Sequence, residues 1–209
     1  MRKRNHALLK TLFVITASLF FTIAQAKNIP GQIIDNEGKV TNVTFKIPFG
    51  FLSSVPDFLR MQTRVAYYDD ANQKHVLHAD KAQEIKFVHA NKSYRMLSRY
   101  NEDFSTLFPT SKNIFMLLEI DGKLKLFHLF SKYSTAGTGT TPGYTYSKDQ
   151  FYLQRSDSRL LRPRDIAFRK DMTTYLDDCP EVVKLVQERE LRKAELVAIV
   201  NLYNQKCTD

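Results

Sequence analysis

The sequence predicts an α+β protein: an antiparallel β-meander, sandwich or open barrel, with three carboxyl-terminal helices packed on it. Three observations carry this. From Gln32 to about Leu161 the apolar residues recur at every second position, and turn residues fall between short runs of β-branched and aromatic side chains. Beyond Pro163 the apolar period changes to 3.6, the spacing of an amphipathic helix. The hairpins are local in sequence, which favours antiparallel pairing.

The amino end precedes the fold. Arg2, Lys3, Arg4 and Lys10 form a positive stretch without acids, followed by an uncharged apolar run from Thr11 to Ile23 and then Ala24-Gln25-Ala26. This is the layout of a cleavable secretory signal peptide over residues 1–26, cut after Ala26. The run is about 13 residues, against the ~20 of a spanning helix. One mature domain follows, residues 27–209, with a β region at 27–162 and a helical region at 163–209.

In order, Gln32–Asp35 and Lys39–Ile47 are strands joined through Asn36-Glu37-Gly38, where Asn and Gly accept positive φ. Val43, Phe45 and Ile47 alternate with Asn42, Thr44 and Lys46, so one face is buried. Pro48, Gly50 and Pro56 interrupt any ladder from Pro48 to Leu59. Strands then span Met61–Tyr68 and Lys74–His78 around Asp69–Asn72, and Glu84–His89 and Ser93–Arg99 around Ala90-Asn91-Lys92. Asn113–Phe130 is a hairpin with Asp121-Gly122 as a two-residue loop. It is apolar on both faces, predicting a central hairpin with another sheet layer or barrel wall on one face and helices on the other. Ser134–Gly143 has a loop composition, and strands return at Gln150–Arg155 and Ser158–Leu161. Asp165–Leu176, Pro180 to about Glu190 and Lys193–Asn204 read as helices, the second opened by Pro180.

The hydrophobic fraction of 43%, with 15 Phe and 10 Tyr, excludes a disordered chain. The formal charge of +9 falls to five once the four leader cations are removed. That mild balance, interleaved along the chain, argues against a nucleic-acid stripe. The densest basic stretch, Arg155, Arg159, Arg162, Arg164, Arg169 and Lys170, reads as a solvated edge, with contact to anionic envelope polymers as its functional counterpart.

Cys179 opens the second helix and Cys207 follows the third. An antiparallel pair of helices brings both to one end, where an oxidising compartment joins them. Neither C-x-x-C spacing nor nearby ligands favour a redox or metal pair. His75 and His78 point to opposite strand faces. His128 lies among Phe115, Leu126 and Phe130 and reads as a hydrogen-bonded sheet histidine. His78, His89, Asp80 and Glu84 are the candidates for a metal or acid–base cluster across adjacent strands. No H-E-x-x-H, G-x-S-x-G or S-x-x-K occurs, and Gly137-Thr138-Gly139 lacks the lysine and helix of a phosphate loop. No cofactor is expected.

The central hairpin FMLLEIDGKLKLFHLF, the pair FYLQRSDSRLL and the helices around YLDDCPEVVKL and ELVAIVNLYNQKC resemble uncharacterised exported proteins of Gram-negative bacteria. The resemblance covers most of the mature chain, is strongest from about Asn113 to Cys207, and is most specific at D-C-P and Y-N-x-x-C. It implies a periplasmic or envelope setting and brings no activity or site residue with it. The expectation is an exported, periplasmic, envelope or secreted binding domain with no mature transmembrane segment, acting on an envelope component through its sheet surface or the Gly/Thr loop. The alternative is a periplasmic hydrolase with a non-standard site.

Overall fold

The computed structural model describes residues 25–50, 53–101, 112–134, 145–156 and 158–207. Nine strands form one antiparallel sheet: β1 (Ala26–Ile34), β2 (Val40–Pro48), β3 (Arg64–Tyr68), β4 (Lys74–His78), β5 (Glu84–His89), β6 (Lys92–Tyr100), β7 (Asn113–Ile120), β8 (Leu124–Ser134) and β9 (Thr145–Arg155). Three helices follow: α1 (Phe168–Tyr175), α2 (Pro180–Gln187) and α3 (Leu196–Lys206). The strand order is β4-β3-β2-β1-β5-β6-β7-β8-β9, a meander broken once where β5 returns to pair with β1. No described helix is long and apolar enough to cross a membrane.

The alternation in β2 buries Val43, Phe45 and Ile47 as their spacing requires. Phe45 lies over Gly31 of β1, where an added Cβ would stand 2.6 Å from its ring and 2.4 Å from the Lys86 carbonyl. Only glycine fits there. The strand β1 begins at Ala26, earlier than the periodicity alone marks.

The sheet rolls up without closing into a barrel. Ala79, just past β4, donates its N–H to the Thr63 carbonyl and accepts a bond from the Ser98 hydroxyl on β6. The edge holding β4 is therefore folded back over the middle strands. Inside the roll lies a core of Phe45, Ile47, Met61, Ile85, Met96 and Phe115.

The central hairpin differs from its expected register. Leu117 faces His128 and Leu118 faces Phe127, but Ile120 faces Leu126 across a bulge. The loop is thus wider than Asp121-Gly122. Gly122 is needed for another reason: a Cβ there would stand 2.5 Å from the Asn204 side-chain amide, which holds both the N–H and C=O of Leu124.

The layers also differ from expectation. Leu124 and Leu126 of β8 pack with Leu153, Met172, Val182, Ile199 and Val200, whereas Phe130 on the same face packs into the rolled core. Helices and rolled half-sheet therefore share one face of β8, one at each end. The other face buries Ile114, Met116, Phe127, Leu129 and Tyr152, with the Arg99 guanidinium 5.2 Å from the Phe127 ring centre. The strand expected at Ser158–Leu161 is a single bridge, Leu161 with Leu153.

Cys179 and Cys207 are joined as a disulfide, with Cα atoms 5.7 Å apart. Beside it, Asp178 accepts bonds from Arg155 and Tyr203, fastening the helices to the end of β9. Burial, with Asp178 adjacent, pushes the Tyr203 hydroxyl up to about 12.

Candidate binding site on the sheet face

Strands β7 and β8 pair only from Leu117/His128 to Ile120/Leu126. Towards the open end of the hairpin they fork, and Gln62 enters the fork. Its carbonyl accepts the Phe115 N–H at 2.7 Å, and its side-chain amide takes the Phe130 N–H at 2.7 Å and donates to the Phe130 C=O at 3.0 Å. A side chain here imitates the strand that the fork removed, so the Phe115 N–H and both backbone groups of Phe130 are paired.

Above the fork opens a cleft of about 480 Å³. Its apolar wall is Phe58, Tyr94, Leu117 and Phe130, with Phe58 stacked on Phe130 and tilted against Tyr94, both at 5.3 Å between ring centres. The turn that carries Phe58 is placed by Gln62, four residues on. The polar groups are Asp57, Glu119, Asp149, Lys92, Lys132 and His128.

His128 stands at the seam between the rolled core and the helix-covered core. Its ring is stacked between Phe130 at 3.9 Å and Phe151 at 4.6 Å, leaving the side chain 12% exposed. Nδ1 is 3.2 Å from Oε1 of Glu119, which lies two residues beyond His128's partner Leu117 and so on the same face of β7. Nε2 is 3.2 Å from Asp149 Oδ1, an ion-pair contact out of line for a hydrogen bond, and this nitrogen is buried. Burial acts to depress the imidazole's pKa, but the two carboxylates outweigh it and hold the pKa above the ordinary histidine value.

This arrangement favours the charged imidazole and leaves neither ring nitrogen open as a free base. A general base must reach the proton it abstracts. Here each ring nitrogen already faces a carboxylate, and Nε2 has no exposed surface from which to meet a substrate. The cleft offers rings and acceptors.

No family model, curated protein or solved structure matches the chain.

The residues singled out for a metal or acid–base cluster are not brought together. Glu84 and His89 lie at opposite ends of β5. Glu84 is buried and bonded to Arg95, His89 packs against Phe49 at 4.9 Å, His78 is exposed at the end of β4, and Asp80 pairs with Lys81 at 3.4 Å. Among the described residues no group of three or more His, Cys, Asp or Glu is placed to hold a metal. His75 instead pairs with Asp69 at 2.8 Å beside Tyr67. Most of the leader and the Gly/Thr loop lie outside the described residues.

Sequence reasoning missed Glu119, Asp149 and Gln62. A two-residue hairpin loop would set Glu119 opposite Leu124, whereas the observed register pairs His128 with Leu117 and so brings Glu119 within its reach. Asp149 lies one residue before the expected start of its strand, and Gln62 is a polar residue in a run read as plain strand. The only available cue was His128 itself, a titratable residue in an otherwise apolar hairpin.

Proposed function

We propose that this chain is an exported, non-enzymatic binding domain of the periplasm or cell envelope, and that its ligand site is the cleft beside His128. The buried, doubly faced imidazole carries this reading, because it leaves the best-formed polar constellation without a usable base. The leader-like segment at residues 1–26, the joined cysteines and the resemblance to exported Gram-negative proteins support the compartment. Three aromatic rings and the acceptors Glu119, Asp149 and Asp57 suit a small envelope component with one apolar face and several hydrogen-bond donors.

The chain contains no tryptophan, so Phe130→Trp places a unique reporter in the cleft. Titration with soluble glycan and peptide fragments of the envelope should shift its emission saturably, with the fragment recovered intact and the shift abolished by adding Asp149→Lys. Turnover of a fragment that ends with His128→Asn would establish the hydrolase instead. Mass spectrometry of the exported protein should find Lys27 at the amino terminus.

A further inference from the structure

A second cleft, of about 500 Å³, lies between β9 and the helical region and shares Asp149 with the first. Its floor is apolar (Phe151, Leu161, Pro163), and its rim carries Arg159, Arg162, Arg164 and Lys193 against two carboxylates, Asp149 and Asp165. Arg164 is held by both oxygens of Asp171, at 2.9 and 2.8 Å, and Lys193 by Asp165 at 2.7 Å. Arg162 is half-buried in the cleft wall, and no described residue pairs with it. A guanidinium so placed is ready for an anion with bidentate oxygens, which phosphate supplies.

Beside this rim, one residue after Asp165, stands Ile166. Its relative exposure of 104% means that nothing in the protein covers it, and it is the most exposed large apolar side chain among the described residues. Arg164, Arg169 and Lys170 flank it, all exposed. An isoleucine held out in water among cations is the local pattern of an interfacial anchor: the apolar tip enters the headgroup layer while the cations meet its phosphates.

We infer that the Arg159–Arg162–Lys193 cleft and the Ile166 loop together form a docking site for the phosphate headgroups of anionic phospholipids at a membrane surface. Arg162 takes a headgroup phosphate against the apolar floor, and Ile166 enters the boundary beside it. The two clefts meet at Asp149, but the arginines, Lys193 and Ile166 of this site do not line the aromatic cleft, and the proposal does not depend on what that cleft binds.

The test is co-sedimentation of the mature chain with vesicles of phosphatidylglycerol and phosphatidylcholine, with pure phosphatidylcholine as control. Saturable, salt-sensitive binding to the anionic vesicles alone is expected. Arg162→Glu should weaken it by roughly 25-fold and Ile166→Asp by about fivefold or more, since each charge near such a surface accounts for about a fivefold change, the first variant changes the charge by two and the second by one. Both variants should keep the wild-type melting curve. Vesicle binding that both variants retain would overturn the proposal. So would competition by free glycerol phosphate with Ile166→Asp unaffected, because the site would then serve a soluble phosphate. The Phe130→Trp emission should be indifferent to the vesicles, so failure here leaves the other cleft's reading intact.

Discussion

Replacing Gln62 by alanine tests whether a single side chain holds the fork open. Gln62 is 3% exposed and supplies both partners of the Phe130 backbone. Its loss leaves one N–H and one C=O unpaired, at about 1–3 kcal/mol for each group that stays buried. Phe130 is only partly buried, so water should recover some of this. The expected loss is about 2–4 kcal/mol, a large share of the ~5–15 kcal/mol that holds a domain folded. With a urea slope of about 1–3 kcal/mol per molar, the midpoint should fall by about 1–2 M at unchanged slope. Gln62→Glu sharpens the test, because an ionised carboxylate still accepts from Phe130 N–H but cannot donate to Phe130 C=O. Burial should raise that carboxyl's folded pKa above the ordinary ~4.3, so the penalty is absent below that value and complete above the raised one. Gln62→Glu should therefore regain stability as pH falls. A midpoint shift below roughly 0.3 M for Gln62→Ala, or a Gln62→Glu variant that tracks wild type across the acid range, would refute the role assigned to the amide.

Two further outcomes follow from other contacts. Removing the disulfide with Cys179→Ser and Cys207→Ser should cost about 3.5 kcal/mol in the chain-entropy model for a sequence separation of 28, measured by chemical denaturation, and reductant should lower the wild-type midpoint but not that of the variant. His128 should titrate above the ordinary ~6.5 in the folded protein, followed by the imidazole C2 proton in NMR. Its raised pKa adds stability that is fully present below ~6.5 and is lost as pH rises through the folded value, a dependence that His128→Asn should abolish.

Much of the fold was legible because its causes are local. The turn from Asp69 to Asn72, the strands Lys74–His78 and Glu84–His89, and the helix opening at Pro180 all appear where their residues indicate. Period and turn chemistry act over a few positions, and those are what one sequence displays. The hairpin register was not legible, because the bulge between Leu118 and Ile120 has no composition of its own. The roll was not legible either. It depends on Gln62 reaching residues 68 positions away. The cleft follows from both, so Glu119 and Asp149 meet His128 only after two non-local events have occurred.

Those two events have one physical source in β8. That strand serves two cores on one face, and its ladder with β7 is too short to satisfy both ends. Asn204 and Gln62 close the deficit alike, each presenting a carboxamide to one residue's N–H and C=O, at Leu124 and Phe130. A carboxamide has the donor and acceptor of a peptide group but ends where the side chain ends, so it satisfies a strand without extending the sheet. A full β7–β8 ladder would close the fork where the aromatic cleft opens, and a longer strand at Asn204 would displace α3 from the hairpin tip. The amide at Phe130 is therefore what makes room for a site. It also fixes the ring that stacks on His128, so a change at Gln62 should disturb His128's titration as well as stability, whereas a change at Asn204 should disturb stability alone.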